Sequence, residues 1–240
     1  MPYRSMSIEE FAKHVGMDAR EVLKLADRGK LPGHKLGGQW RFNRAQVTEW
    51  LQQEMHKLDK ARLVALEDSM TGQLGGAVDE GRMVVTELIG LEGVDLALPA
   101  KTRDSVLREL VRLASRTGLL YDPDGLLEAL VERESLGSTA LPCGVAIPHP
   151  RQPMPYVSAE PLICVARLPS GVAFGGKNGQ LTRLFFLICC HNDRHHLQVL
   201  ARLMRLLDEE TIEPLAQADS PETFLKLLIA QEDKVRAHSR

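Results

Sequence analysis

An aperiodic, glycine-containing stretch divides this 240-residue chain into two parts that each need a core of their own. Residues 71–82 read TGQLGGAVDEGR, without the spacing of apolar side chains that marks a helix or a strand. Glycines in such a stretch indicate a linker. We therefore place a boundary near residues 70–83 and predict domains over 1–56 and 83–236, joined by a helical extension and linker over 57–82.

The composition is that of an ordinary globular protein, with 44% hydrophobic and 26% charged residues. No segment approaches the roughly 18 apolar residues of a membrane span, and the N-terminus has no apolar stretch of signal-peptide length. We expect a cytoplasmic protein with no membrane partner. The cysteines lie in or beside apolar runs without a CxxC pair, which predicts reduced, buried thiols and no metal site: Cys143, Cys164, Cys189 and Cys190.

Charge is distributed unevenly along the chain. Residues 1–60 hold 11 lysines and arginines against 8 acidic residues, whereas residues 61–240 hold 19 against 24. A basic head on an acidic body is compatible with nucleic-acid binding at one end only.

Two short capped helices begin the chain. Ser7 and Glu10 have the spacing of a capping box, which predicts a helix that ends at Gly16. Asp18 begins a second helix, which we expect to end at Gly29. Two short helices joined by about three residues have the spacing of a helix-turn-helix.

A small hairpin and a third helix follow. The pair Gly37-Gly38 predicts a tight turn, and Trp40 and Phe42 are expected to pack the resulting wing onto the helices. Asn43 caps the third helix, which we expect to continue over residues 44–70. A helix of that length could pair two chains, so a homodimer is left open.

Residues 5–55 resemble the excisionase-type helix-turn-helix with a short wing, which is related to the MerR-like winged helix. The matching features are GKLP after the second helix and KLGGQWRF at the wing. The resemblance implies that the second helix enters the DNA major groove and that the wing contacts phosphates or the minor groove. Use of this fold for protein contact is the alternative. The candidate DNA contacts are Arg20, Lys24 and Arg28 on the helix and Lys35, Gln39 and Arg41 on the wing.

From Met83 onward, amphipathic helices alternate with short apolar runs. This alternation predicts an α/β domain with a mixed sheet. We expect helices over 102–117, 124–134, 195–207 and 222–231, and strands over 144–147, 162–166 and 183–190.

A group of residues in this second domain is suited to phosphoryl transfer. A strand that ends at His149 places an imidazole at the rim of the sheet, and an imidazole is a reversible nucleophile near neutral pH. Phosphoryl transfer also needs cations or N–H dipoles around the phosphoryl oxygens. Arg133 can supply a guanidinium, and His196 can donate from the first turn of a helix. Ser138 and Thr139 can supply hydroxyl or backbone donors for phosphate binding.

The run RE…ST…GVAIPH, with HHLQVL further on, resembles a known family over about residues 83–235. That family is the enzyme IIA domain of the fructose/mannitol (type 2) and nitrogen-regulatory kinds in the bacterial phosphotransferase system. The resemblance implies an α/β sandwich around a mixed sheet, in which a histidine phosphocarrier protein phosphorylates His149. It assigns Arg133 and His196 to the same site. We expect the ring of His149 to face solvent beside these two side chains.

The match has one departure and one ambiguity. Many relatives carry glycine after the phosphorylated histidine, whereas Pro150 follows His149 here and has no N–H to donate. The stretch HNDRHH places His191 and His195 close to His196, so the second active-site histidine could be misassigned by one position.

Structural roles are open for several of these residues. Arg133 could form an ion pair with Glu134 or Asp124, and Ser138 and Thr139 could be turn residues only.

The sequence thus predicts an α/β protein with a small winged helix-turn-helix head. It would be a regulator that accepts a phosphoryl group on His149 and couples this to DNA binding. Whether such a phosphocarrier counts as an enzyme is left open, and we expect no cofactor apart from the covalent phosphohistidine. The alternatives are a IIA component that passes phosphate to a IIB domain for sugar uptake, and a phosphorylation-controlled protein-binding regulator without DNA contact.

Overall fold

The computed structural model describes residues 5–71, 83–176 and 179–237. Of the predicted linker over 71–82, Thr71 is the last residue of a helix and residues 72–82 lie outside the described residues, so the domain limits stay predictions. None of the described helices is both long enough and apolar enough to cross a membrane.

Within the described residues, the chain forms two compact units. One unit comprises Met1–Met83 together with Leu197–Arg205, and the other comprises Val84–His196 together with Leu206–Arg240.

The first unit contains a helix-turn-helix and a small antiparallel sheet with the strand order β1-β3-β2. The hairpin strands β2 and β3 pair through the predicted wing, and β1 adds a third strand from the N-terminus. The elements are β1 (Ser5–Met6), α1 (Ile8–Val15), α2 (Ala19–Asp27), β2 (Gly33–Leu36), β3 (Gln39–Asn43), α3 (Arg44–Glu54) and α4 (Lys60–Thr71).

The predicted helix caps are present. The Ser7 hydroxyl accepts from the backbone N–H of Glu10 at 3.2 Å, and the Glu10 carboxylate accepts from the backbone N–H of Ser7 at 2.9 Å. Asp18 accepts from the backbone N–H of Arg20 at 2.8 Å, and Asn43 caps α3. These side chains satisfy backbone donors that a helix N-terminus leaves unpaired.

The wing packs as predicted. Gly37-Gly38 has φ angles of 58° and 81°, which a two-residue hairpin turn with two left-handed positions requires. Phe42 is fully buried, with its ring 4.6 Å from that of Phe11. The Trp40 indole N–H donates to Asp27 at 3.1 Å, so the wing is tied to the end of α2.

The prediction of one helix over residues 44–70 is wrong. After α3 the chain makes a single 3-10 turn (Met55–Lys57), and Leu58 then adopts an extended conformation with ψ 141°. Asp59 accepts from the backbone N–H of Arg62 at 2.8 Å and so caps a new helix, α4. The long continuous helix on which we based pairing of two chains is therefore absent from residues 44–70.

Gly16 lets the end of α1 approach α4 closely. It has φ 69°, and a Cβ atom at this position would lie 2.3 Å from the carbonyl oxygen of Ala65. Gly29 has a similar φ of 66° but nothing within 4 Å of such a Cβ atom. The two glycines therefore separate the effect of backbone conformation from the effect of packing.

We expect Gly16→Ala to destabilise the first unit more than Gly29→Ala does. The left-handed conformation costs an alanine about 1–2 kcal/mol at either position, and Gly16→Ala must also displace backbone atoms of α4. Both tryptophans, Trp40 and Trp50, lie in this unit, so urea unfolding followed by tryptophan fluorescence measures the difference. Equal losses of unfolding free energy would contradict the packing argument.

The second unit is an α/β domain with a mixed sheet of strand order β4-β6-β7-β5. Strands β6 and β7 are antiparallel, whereas β4 is parallel to β6 and β5 is parallel to β7. This arrangement confirms the predicted fold class. The elements are β4 (Val94–Asp95), α5 (Arg103–Arg116), α6 (Pro123–Ser135), β5 (Val145–Ala146), β6 (Leu162–Val172), β7 (Thr182–Cys189), α7 (Asp193–Leu206), α8 (Glu209–Gln217) and α9 (Pro221–Ala237).

The core of the second unit lies between the sheet and the helices α5 and α6. The apolar face of α5 is buried as predicted, and Cys164 and Cys189 lie in the same core. All four cysteines are free thiols, but Cys143 is only half-buried, which corrects our expectation that every thiol is buried.

A buried ionic cluster lies in the first unit, between α4 and the part of α7 that belongs to this unit. The side chain of Glu67 is 3% exposed and accepts from Arg202 Nε at 2.9 Å and from Arg205 Nη1 at 2.5 Å. Beside it, Gln198 donates to the hydroxyl of Thr71 at 2.9 Å. One carboxylate thus contacts two buried guanidinium groups.

Candidate functional site

His149 follows β5 on a segment that is fixed on both sides. The N–H of Ile147 donates to Thr139 O at 3.2 Å, and the carbonyl of Pro148 accepts from Ile188 N at 3.0 Å. The Nδ1 atom of His149 lies 2.7 Å from the carbonyl oxygen of Ile147. Because a carbonyl oxygen only accepts hydrogen bonds, Nδ1 carries the hydrogen and the lone pair lies on Nε2. Nε2 is therefore the nucleophilic atom of this ring.

The expectation that the His149 ring faces solvent is wrong. The residue is only 3% exposed, and its neighbours Ile147, Pro148 and Pro150 are buried with it. The imidazole lies in a site that the protein shields from water.

His196, in the first turn of α7, lies beside His149. The two ring centroids are 5.0 Å apart, and His196 is 1% exposed. In neither ring does Nε2 have a hydrogen-bond partner among the described residues. An unpartnered buried polar atom costs about 1–3 kcal/mol, so two of them at adjacent rings indicate a site built for a ligand or a reacting group.

The geometry favours His196 over its neighbour as the second histidine of the site. His195 is half-buried, and its Nδ1 lies 3.1 Å from the side-chain nitrogen of Asn192. The Nε2 atom of His191 lies 3.1 Å from the hydroxyl of Ser158, so this ring already has a partner within the protein.

Arg133 brings a positive charge to the two histidines from the last turn of α6. The residue is 7% exposed, and its Nη1 donates to the carbonyl of Gly137 at 3.0 Å. Its charge contributes to lowering the pKa of both His149 and His196. The structure thus brings together the three residues that the sequence assigned to the chemistry.

Ser138 and Thr139 lie on the loop that follows α6, and their hydroxyls both donate to protein atoms. Ser138 donates to the carbonyl of Phe174 at 2.5 Å. Thr139 donates to the carboxylate of Glu134 through its hydroxyl at 2.8 Å and through its backbone N–H at 3.0 Å. Phosphate binding by Ser138 and Thr139 stays a prediction.

Two charged residues of this site were not predicted. Glu134 entered the sequence analysis as part of the RE…ST run and as an ion-pair partner for Arg133, without a role of its own in the site, but its carboxylate binds Thr139 and lies 3.1 Å from Arg103 Nη2. The spacing between Glu134 and Thr139 was the available signal. Arg103 comes from α5, and nothing in the local sequence connects it to the site.

Both imidazoles are neutral at pH 7. Burial lowers the pKa of His149 well below its usual value, and repulsion from His196 in its protonated form and from Arg133 adds to this, against the hydrogen bond to Ile147. Burial and then Arg133 lower the pKa of His196 to about 4. A neutral His149 retains the lone pair that a nucleophile requires.

These lowered pKa values predict that acid destabilises the second unit. Below the unfolded-state pKa of about 6.5, the unfolded chain binds protons that the buried histidines do not, so stability is lost as the pH falls from 6.5 towards 4. Each histidine contributes up to about 1.4 kcal/mol per pH unit over this range.

Urea unfolding between pH 7.5 and 4.5, followed by circular dichroism, measures this effect. We expect His196→Gln to flatten the dependence on pH, whereas His34→Gln, at an exposed position in the first unit, leaves it unchanged. An unaltered pH dependence in His196→Gln would contradict the assignment.

The predicted DNA contacts on α2 are exposed together. Arg20 and Lys24 lie on α2 opposite the buried Val22 and Ala26, and the exposed Arg28 follows at the same four-residue spacing as the C-terminal cap of the helix. One face of the helix is thus basic and accessible, as major-groove binding requires.

The predicted wing contacts are partly engaged within the protein. Lys35 is exposed, but its Nζ lies 3.2 Å from Asp27 and 5.1 Å from the centre of the Trp40 ring. Arg41 donates to the side chain of Gln39 at 2.8 Å. DNA contacts by these wing residues stay predictions.

Comparison with known families agrees with both units. The family model described as "Phosphoenolpyruvate-dependent sugar phosphotransferase system, EIIA 2" matches residues 87–231, and a helix-turn-helix domain model matches residues 5–55. The two resemblances stated from the sequence are confirmed.

Curated relatives match more than half of this chain. The "PTS system fructose-specific EIIABC component" of Bacillus subtilis is 32% identical over 63% of this chain, but this chain spans only 24% of its length. The "PTS system fructose-specific EIIA component" of Haloferax volcanii is 30% identical over 60% of this chain and 94% of its own length. The "Nitrogen regulatory protein" of Bradyrhizobium diazoefficiens is 34% identical over 54% of this chain and 84% of its own length.

Solved structures share the fold of about 60% of this chain. The nitrogen regulatory protein IIA-Ntr from Neisseria meningitidis is 28% identical with a TM-score of 0.54, and covers 61% of this chain and 99% of its own. The IIA mannitol structure from Escherichia coli is 29% identical with a TM-score of 0.52, and covers 58% of this chain and 97% of its own.

Proposed function

Because this chain belongs to the EIIA type 2 family of the phosphoenolpyruvate-dependent sugar phosphotransferase system, we propose that Nε2 of His149 accepts a phosphoryl group. The donor is a histidine phosphocarrier protein, and the state of His149 controls DNA binding by the helix-turn-helix unit. One observation carries the first part of this proposal. Two adjacent buried imidazoles each have an Nε2 atom without a partner among the described residues, and Arg133 supplies positive charge beside them.

The transfer exchanges one N–P bond for another. The lone pair on His149 Nε2 attacks phosphorus of the donor phosphohistidine, and the N–P bond of the donor breaks with its electron pair returning to the donor imidazole. The transferred group carries negative charge on three oxygens, which Arg133 stabilises and to which His196 can donate. No cofactor enters the step.

The burial of His149 adds a requirement to this chemistry. Its Nε2 has almost no solvent-accessible area, so atoms that cover the ring must move before a donor histidine reaches it. Once formed, a phosphohistidine in such a site is shielded from hydrolysis.

The basic face of α2 supports the DNA-binding half of the proposal. We expect Lys24→Ala to weaken binding to DNA and to reduce the slope of log affinity against log salt by about 1, as the loss of one phosphate contact requires. Lys226→Ala, at an exposed position on α9, is the matched control and leaves the slope unchanged. Salt-dependent filter binding or fluorescence anisotropy on duplex DNA measures both. Identical slopes for wild type and Lys24→Ala would exclude this contact.

One experiment tests the coupling of the two activities. The full chain is incubated with phosphoenolpyruvate and the phosphotransferase proteins, with and without the phosphocarrier, and its affinity for DNA is then measured. We expect phosphorylation to require the phosphocarrier and to change DNA affinity in wild type but not in His149→Ala. If the chain is labelled but its affinity for DNA does not change, it is a phosphocarrier whose phosphorylation does not control DNA binding. Transfer of the label to a IIB domain would favour a transport role.

A further inference from the structure

We propose that Glu134, together with Arg103, is a positioning residue that holds His149 and Arg133 ready for phosphoryl acceptance. This inference rests on the proposed function of His149 and assigns a role to a charged pair that takes no part in the transfer step itself. Glu134 does not contact the reacting atoms in this account. It acts through the loop that follows α6.

The carboxylate of Glu134 holds Thr139 by two donors. The residue is 3% exposed, and its two oxygens accept separately from the backbone N–H and the hydroxyl of Thr139, at 3.0 and 2.8 Å. Two bonds from one carboxylate to one residue fix both the position and the orientation of that residue. Thr139 therefore has little freedom to move relative to α6.

Thr139 in turn holds the segment that carries His149. Its carbonyl accepts from the N–H of Ile147 at 3.2 Å, and the carbonyl of Ile147 accepts from Nδ1 of His149 at 2.7 Å. A continuous series of hydrogen bonds thus runs from Glu134 to the imidazole. Its last bond keeps the hydrogen on Nδ1 and the lone pair on Nε2, which is the tautomer that phosphoryl acceptance needs.

The same loop also receives the guanidinium of the site. Arg133 donates to the carbonyl of Gly137, two residues before Thr139, at 3.0 Å. Movement of the loop would therefore displace Arg133 and His149 together. Shifts of about 1 Å at a reacting centre can lower rates by roughly 100-fold.

Arg103 supplies the counter-charge that stabilises the buried carboxylate of Glu134. Its Nη2 lies 3.1 Å from Glu134 Oε1 and also donates to the backbone carbonyl of Glu134. The guanidinium lies 5.8 Å from the centre of the Phe174 ring, and the carbonyl of Phe174 accepts from Ser138. The Arg103 side chain is 37% exposed, and an ion pair open to solvent contributes little to stability, so the position of Thr139 is the better explanation for this pair.

The test compares initial rates of phosphorylation of the full chain by phosphoenolpyruvate, the phosphotransferase proteins and the phosphocarrier. The variants are Glu134→Ala, Glu134→Gln and Thr139→Val, and Glu128→Gln on the exposed side of α6 is the matched control. Long-range ¹⁵N–¹H spectra of each variant report which nitrogen of His149 carries the hydrogen. Thermal unfolding of each variant shows that it is folded at the assay temperature.

We expect Glu134→Ala to lower the rate by about 10- to 100-fold and to mix the two tautomers of His149. Glu134→Gln keeps most of the rate, since an amide can accept from the N–H of Thr139 and donate to its hydroxyl. Thr139→Val keeps the backbone bond and slows the reaction less than Glu134→Ala does. In the double variant Glu134→Ala/Thr139→Val, the two effects are less than additive, because both act through one contact.

Rates and tautomer spectra of folded Glu134→Ala equal to those of Glu128→Gln would overturn the positioning role while leaving phosphorylation of His149 intact. If Glu134→Ala does not fold, Thr139→Val with the wild-type rate and a single tautomer overturns it. Failure of the proposed function is a different result, because wild type itself would then incorporate no phosphoryl group.

Discussion

We expect the His149→Gln variant to incorporate no phosphoryl group under conditions in which the wild-type chain is labelled to completion. Glutamine has no lone pair of comparable nucleophilicity, and the other histidine of the site, His196, has no bond to Ile147 that would fix its tautomer as in His149. The labelling reaction with phosphoenolpyruvate, the phosphotransferase proteins and the phosphocarrier measures this directly. Retention of label in folded His149→Gln would show that another residue is the acceptor.

The neighbouring histidines supply graded controls for this prediction. His196→Gln removes the imidazole whose ring lies 5.0 Å from that of His149, and we expect its rate to fall by roughly 100-fold, as for the loss of one donor to a charged transition state. His195→Gln changes the adjacent, half-buried residue and should leave the rate close to that of wild type. The reverse order of effects would mean that the assignment between these two histidines is wrong by one position.

We expect the largest loss of stability from Glu67→Ala. This substitution removes the carboxylate that contacts both Arg202 and Arg205, at a position where all three residues are buried. Removal of one member of a buried ion pair typically costs about 3–5 kcal/mol, because the remaining charge stays buried without its counter-charge. Urea unfolding followed by tryptophan fluorescence reports on the first unit, which contains Glu67 and both tryptophans.

The chain offers an exposed ion pair as a control for Glu67. Lys57 Nζ lies 2.6 Å from Glu54 Oε1 on the surface, where such a pair contributes about 0–1 kcal/mol to the free energy of unfolding. We therefore expect Glu54→Ala to change the free energy of unfolding by less than about 1 kcal/mol. A loss for Glu67→Ala no larger than that for Glu54→Ala would mean that the buried cluster contributes little to the stability of the unit.

Local signals predicted most of the secondary structure. Caps such as Ser7 and Asn43 act within one helical turn, and the turn at Gly37-Gly38 depends on two residues only. The break between α3 and α4 was missed because residues 44–70 contain no proline or glycine that would mark the end of a helix at Leu58. Helix α8 was missed because Pro214 lies inside it, and proline is normally read as a helix breaker.

The site was predictable in its chemistry but not in its surroundings. The motif placed His149, Arg133 and His196 in one site, and the structure brings them together. The burial of His149 depends on residues that are distant in sequence, so the expectation of a solvent-facing ring was wrong. The ion pair from Glu134 to Arg103 likewise needs the packing of α5 beside the loop that follows α6.

The most direct test of the account is the position of the phosphoryl group on the imidazole of His149. Phosphorus and nitrogen magnetic resonance of the ¹⁵N-labelled, phosphorylated chain distinguishes an Nε2–P bond from an Nδ1–P bond. The account predicts an Nε2-phosphohistidine at residue 149, with Nδ1 still carrying its hydrogen towards the carbonyl of Ile147. An Nδ1–P bond, or a phosphohistidine at any other residue, would contradict it.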